Sequence, residues 1–459
     1  MIPTILCIAF IVYLFWADHK LPNGPSMAVW IPFCWMFLAG SRYVSSWLGL
    51  RPAFGSASDV GDGSPVDAFV FFVLILAGAA VLVQRLNWRA ALQHNPWILI
   101  YLVYCLLSAT WADDSLLLFK RWLKDLGNPI MALVILTEPR PYVASATVLR
   151  RLAFLLIPLS VLFVKYYPEL GRAYHNDGSP MYTGAGHQKN DLGLMCLLAA
   201  IPFVWEALYS PIDPRAIFTK THKFLAVAIV GMLLWLLRIS DSQTSNVCLI
   251  LATLVMVLGR LRFFLGKADR MIGLFTTAVV SIWALDQLTD IRAFFLGLIG
   301  RNPTLTSRTD IWNVVMRFDA NPLVGTGFMS FWSGKRMDSI QTMIGAEINQ
   351  AHNGYVEQYL NLGYIGVALI MIIMIAGLLK VRRHMPVDPS GAMLRFCFII
   401  TALVYNFTEA SFYGINNMWT LLLLGCIEVP RAHKLRIKSI KPAPQFSVRR
   451  PAFHKERLT

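Results

Sequence analysis

Three short runs hold most of the side chains able to do chemistry: Gly184-Ala185-Gly186-His187-Gln188-Lys189-Asn190, Ser307-Arg308-Thr309-Asp310-Ile311-Trp312 and Ala351-His352-Asn353. Each borders an apolar or amphipathic helix. The start of a helix with Lys or Arg beside it suits a diphosphate, because free backbone N–H groups and the positive dipole end favour anions and a guanidinium binds phosphate oxygens in pairs. Arg308 and Lys189, with Arg172 in the loop before, could therefore hold a lipid-borne diphosphate. His352, or a carboxylate such as Glu347 or Asp310, is the kind of group that orients or deprotonates a hydroxyl. Plainer readings stand beside these. Arg308 could lie at the membrane surface or pair with Asp310, His352 could sit at a helix start capped by Asn353, and His187 and Lys189 could simply close a polar loop. Trp312, Phe331 and Trp332 are aromatic types that often anchor a chain at the lipid boundary. There is no Walker-type phosphate loop, and the outward acids form no obvious metal triad, so neither a cofactor nor a metal is expected.

The elements that must position these groups are membrane helices. Of 459 residues, 56% are hydrophobic and 15% charged, far from the roughly 25% charged of soluble domains. Apolar runs long enough for a hydrocarbon core of about 30 Å lie near 2 to 17, 27 to 48, 66 to 83, 96 to 111, 117 to 137, 150 to 166, 191 to 209, 223 to 239, 245 to 260, 270 to 286, 357 to 380, 393 to 409 and 414 to 430. The expected architecture is an all-α, polytopic bundle of about 12–13 spans. The seven cysteines all fall inside apolar runs, without the spacing of a disulfide framework or a metal site. No Lys or Arg precedes the first apolar run, so that span is expected to be retained.

The net charge of +15 is sorted along the chain. The segment 431–459 carries nine Lys and Arg against Glu456, which places it in the cytoplasm; counting back through the spans puts the loops holding Arg85, Arg140, Arg215, Arg260 and Arg382 on the same side. These clusters read as topology and contact with membrane lipids, not nucleic acid. The domain division is then a membrane-embedded unit over 1–430 and a basic cytoplasmic tail over 431–459. Outward lie 49 to 65, about 111 to 127, 167 to 190, 240 to 244, 287 to 356 and 410 to 413. The segment 287–356 is the only one of these large enough for its own structure. Within it, Ser307 and Asp310 resemble a helix start, and Ile311, Val314, Val315 and Phe318 recur at i, i+3, i+4 and i+7, giving an amphipathic helix expected to end near Asn321-Pro322. Gly325-Thr326-Gly327 reads as a turn, and Phe328, Phe331 and Trp332 as an aromatic stretch at the membrane interface.

Taken in order, Thr183-Gly-Ala-Gly-His-Gln-Lys-Asn-Asp-Leu-Gly193, Ser307-Arg-Thr-Asp-Ile-Trp312, Asn321-Pro-Leu-Val-Gly-Thr-Gly-Phe328, His352-Asn-Gly-Tyr355 and Leu362-Gly-Tyr-Ile-Gly366 resemble the O-antigen ligase and polysaccharide polymerase superfamily, nearest to its exopolysaccharide-production branch. The resemblance covers about 183 to 366 by motif and the rest by span pattern. It implies an inner-membrane glycosyltransferase that moves glycan from an undecaprenyl-diphosphate carrier, at the periplasmic face, to another glycan or to lipid A core. By the same resemblance Arg308 is expected to hold the diphosphate, His352 to act on the acceptor hydroxyl, and Lys189 to match the branch's basic element, from which Gln188 departs as an insertion. Ligases often carry Ser-Arg in the turn where this chain has Ser240-Asp-Ser-Gln-Thr-Ser245; Arg238 and Arg172 are the nearest substitutes. The competing reading is a transporter or flippase. Such proteins place ionisable groups near the bilayer midplane, and the sequence offers few there, mainly Arg42 and Glu409.

Overall fold

A computed structural model describes residues 1–19, 24–50, 64–174, 178–209, 220–289, 308–318 and 320–430. Ser307 and the basic tail lie outside the described residues. Every apolar run predicted above carries helix over much of its length, and the chain is a polytopic helical bundle. Among the described residues six helices are long and apolar enough to cross a membrane: Ile2–His19, Pro65–Arg85, Pro141–Tyr166, Lys189–Tyr209, Gln243–Arg260 and Gly354–His384. The pair Trp88–His94 and Pro96–Thr110, bent by 91°, is apolar enough to form a broken span or a re-entrant loop. Shorter apolar helices run over Met27–Gly40, Phe224–Ile239, Pro389–Tyr405 and Asn417–Cys426. The run 117 to 137 divides into Ser115–Asp125 and Gly127–Leu136, so several runs are broken where the sequence suggested single spans.

The centre of the bundle is Pro141–Tyr166, Lys189–Tyr209, Pro389–Tyr405 and Asn417–Cys426, most of whose residues are buried. Around them Ile2–His19, Pro65–Arg85 and Gln243–Arg260 turn large apolar residues such as Ile5, Phe69 and Ile250 outward, where lipid is their natural solvent. The bundle holds more buried charge than the sequence reading allowed. Arg150 binds Asp18 (2.6 Å) and Glu206, and Arg151 binds the other oxygen of Asp18 at 2.7 Å, in a neutral set of two acids and two bases. Their pairing is what makes them tolerable in a low-dielectric interior.

Among the described residues, parts of the segments read as outward meet at one end. Thr244 Oγ1 meets Thr408 Oγ1 at 2.6 Å, Asn190 meets Glu409, and Arg336 pairs with Asp113 at 3.0 Å. Described residues of the segments read as inward meet at the other: Lys380 Nζ donates to Asn95 and to the Cys426 carbonyl, and His384 lies 3.1 Å from Glu428. The helix Gly354–His384, 31 residues long, runs between the two groups.

That helix is not continuous. Gly363 has φ 63°, ψ −166°, which breaks the helix and leaves backbone groups without helical partners. The turn 321–327 supplies them: Thr326 N donates to Leu360 O (3.1 Å), Gly327 N to Asn361 O (2.8 Å), Tyr364 N to Pro322 O (2.8 Å) and Ile365 N to Leu323 O (3.2 Å). The Asn321–Gly327 and Leu362–Gly366 motifs are therefore two halves of one joint. Two expectations change here. The helix Arg308–Val315 stops well short of Asn321. Phe328 and Phe331 are fully buried, so they are core residues and not interfacial ones, because the joint draws the chain that follows it into the bundle.

Candidate functional site

The site is assembled where three helices begin. Lys189–Tyr209, Arg308–Val315 and Gly354–His384 all start at the end of the bundle that gathers the outward segments, so their positive dipole ends face a common region. At its centre is Glu409, 6% exposed, in the turn after Pro389–Tyr405. Arg308 Nη2 donates to Glu409 Oε1 at 2.7 Å, and Asn190 Nδ2 donates to the same oxygen at 3.0 Å. His352 Nδ1 lies 3.5 Å from Oε2. The three polar runs of the sequence thus meet on one carboxylate.

Local chemistry explains why His352 stands there. Asn353 is the helix N-cap, its Oδ1 accepting from Tyr355 N (2.9 Å) and Val356 N (3.1 Å), which satisfies two of the donors a helix start leaves free. Gly354 lets this start approach the 406–409 turn: its N–H donates to Asn406 O (2.8 Å) and Glu409 O (3.0 Å), and a Cβ there would come within 2.2 Å of Asn406 Oδ1. His352 itself takes φ 49°, a conformation that histidine adopts more readily than most non-glycine residues. From the other side, Trp312 Nε1 donates to Ala351 O (2.7 Å), tying the Arg308 helix to the His352 loop. Glu357 accepts from Ala351 N (2.7 Å), Trp332 Nε1 (2.7 Å) and Asn361 Nδ2 (3.1 Å). Tyr413, in the loop before Asn417–Cys426, also bonds Glu357, and burial pushes its phenol well above the ordinary value, which keeps it a neutral donor.

The remaining candidates divide. Lys189 points toward Asp241 at 3.9 Å, beside the cluster. His187 packs its ring 5.4 Å from Tyr43, and its backbone N–H and that of Gln188 each donate to Asp191 at 3.2 Å, so the Gly184–Gln188 turn is folded onto the first turn of its own helix. Arg172 does not join them. Its guanidinium donates to Val164 O (3.0 and 2.7 Å) and lies over the Tyr182 ring, at the hairpin of Arg172–Tyr174 with Pro180–Tyr182. Asp310 is exposed, and Arg308 pairs with Glu409 rather than with it. Glu347 is exposed beside a surface depression lined by Asp338, Gln341 and Thr342.

Glu409 is the residue that sequence reasoning did not place. Its only visible signal was an acid at the end of an apolar run, which read as a possible transport group.

Comparison with known proteins agrees with the motif resemblance. The family model described as O-antigen ligase matches residues 224–371, which include Arg308, the 321–327 turn, His352 and Gly363. Lys189, His187 and Glu409 fall outside that match. The chain is also 23% identical over 384 residues to the exopolysaccharide production protein ExoQ of Rhizobium meliloti (strain 1021), covering 76% of this chain and 81% of that protein.

Proposed function

We propose that this chain is a bacterial envelope glycosyltransferase, a glycan polymerase or ligase that takes its donor from an undecaprenyl-diphosphate carrier at the periplasmic face of the inner membrane. What carries the reading is the meeting of Arg308 and His352 on one carboxylate where three helices begin. This pairs an anion-binding group with a base within one small volume.

In the reaction, the acceptor hydroxyl oxygen bonds to the anomeric carbon of the donor glycan while the bond from that carbon to the diphosphate breaks. The bonding pair leaves on the lipid diphosphate, where Arg308 and the helix starts stabilise the developing charge. The acceptor proton passes to His352. A positioned base typically contributes about 10²- to 10⁴-fold. The leaving group is built into the donor, so the step needs no nucleotide, and the cationic role falls to Arg308, with Lys189 near by.

Chain growth on a carrier-linked glycan is the expected activity, because the turn Ser240–Ser245 lacks the arginine that ligases often place there. The test is purified protein in liposomes with carrier-linked glycan from its host, scored for lengthening and for transfer to lipid A core. Lengthening that disappears in Arg308→Ala supports a polymerase, and single transfer to lipid A core a ligase. Absence of turnover with confirmed native substrate would return the weight to transport.

A further inference from the structure

Glu409 divides its oxygens unequally. Oε1 is taken by Arg308 (2.7 Å) and Asn190 (3.0 Å), whereas Oε2 has His352 Nδ1 at 3.5 Å, the outer limit of a hydrogen bond. We propose that Glu409 is a positioning residue handed from Arg308 to His352 when the donor's diphosphate binds, so that the base is oriented only once the leaving group is in place. The inference rests on the reading of Arg308 as the diphosphate ligand.

A diphosphate brings more negative charge and more acceptor oxygens to a guanidinium than one carboxylate does. As Arg308 turns to it, Glu409 would be left buried with its charge unbalanced, which is costly unless another donor replaces the arginine. Among the described residues, the charged and titratable groups around it are Asp191 and Tyr405 along with Arg308 and His352, while His187 acts on Asp191 and Glu357 on His352. Lys189 faces Asp241 instead. Apart from Arg308, His352 is the group among these described residues that can carry positive charge and lies within hydrogen-bond reach of Glu409. A closer Nδ1–H to Glu409 bond fixes the tautomer with its lone pair on Nε2, and that nitrogen receives the proton of the acceptor hydroxyl. The imidazolium formed is then paired with Glu409, while the electron pair of the broken glycosyl bond departs on the diphosphate held by Arg308.

Glu409→Gln and Glu409→Asp in liposomes test the handover, with undecaprenyl diphosphate as the binding probe and the pH dependence of kcat/KM for the acceptor as the second readout. The glutamine variant is expected to bind the probe at least as tightly as the unsubstituted protein, since a neutral amide competes less for Arg308. Its kcat should fall roughly 100-fold or more, and the acidic limb of its profile should move to lower pH, because the imidazolium loses a neighbouring negative charge. Aspartate should restore part of both. Unchanged kcat and limb in Glu409→Gln, with transfer lost in Arg308→Ala, would overturn the handover and leave the diphosphate reading standing; full transfer in Arg308→Ala would remove that reading itself. Should the glutamine variant not fold, aspartate decides alone: a carboxylate one methylene shorter shifts the limb if it acts through His352, and leaves it in place if it only braces Arg308.

Discussion

Gly363 and Leu323 meet backbone against backbone: a Cβ on Gly363 would come within 2.2 Å of the Leu323 carbonyl. The contact joins a membrane helix to the turn that follows the Arg308 helix, and it exists only because position 363 carries no side chain.

Gly363→Ala should therefore lower the stability of the whole protein. A backbone at φ 63°, ψ −166° lies in a region essentially confined to glycine and alone costs an alanine about 1–3 kcal/mol, and the collision with Leu323 adds to it. Thermal unfolding in detergent checks this, with Gly231→Ala as the control, since nothing lies within 4 Å of a Cβ there. Equal melting temperatures for the two variants would mean that the joint does not hold the fold together.

Arg308→Ala should abolish glycan transfer with membrane insertion intact, a loss of roughly 10²- to 10³-fold or more in kcat. Arg308→Lys should recover only part of it, because an ammonium lacks the forked geometry that meets two phosphate oxygens. Turnover should also be indifferent to a metal chelator, which can be measured in the same assay; activity that vanishes with chelation and returns with a divalent cation would assign the charge-neutralising role elsewhere.

Asn353→Ala removes the cap that starts the His352 helix, at about 1 kcal/mol. Because His352 is the preceding residue, kcat should drop while binding of undecaprenyl diphosphate holds. Asn353→Ser, which keeps a capping oxygen, should behave nearly as the unsubstituted protein does. If serine and alanine are equally impaired, the cap is not what holds the histidine.

Arg172→Ala is expected to act on stability and not on the donor. Its guanidinium is engaged by Val164 O and the Tyr182 ring, so the melting temperature should fall while the donor KM stays level. A raised KM at unchanged stability would make Arg172 a ligand of the substrate after all.

Reporter fusions at residues 180 and 340 should report the outer side, and a fusion in the 431–459 tail the cytoplasm. A cytoplasmic signal at 340 would separate Arg308 and His352 from a periplasmic substrate.

How much of this was legible depends on range. Apolar runs announce helices through local composition, and Asn353 announced its cap because the groups it serves lie two and three residues on. Glu409 was not legible as part of the site, since Arg308 and His352 are 101 and 57 residues away from it in sequence. Arg172 read as a phosphate ligand because the partner it has in this structure, the Val164 carbonyl, leaves no mark in side-chain identity. Phe328 and Phe331 were misread for a related reason: an aromatic residue suits both core and interface, and only the joint at Gly363 decides between them. Both halves of that joint were visible as motifs, but the bonds between them are main-chain bonds.

The pairing of Asp18 with Arg150 and Arg151 bears on how the molecule is made. The arginines follow the aspartate by 132 and 133 residues, so during synthesis the first helix reaches the bilayer long before the cations that balance it. Each side must wait in, or at the edge of, a medium hostile to lone charge until they dock, and removing one partner from a buried pair typically costs about 3–5 kcal/mol. A chain whose first helix fails to dock is left with Arg150 and Arg151 sharing Glu206 alone, so one positive charge stays unbalanced in the interior until Asp18 arrives.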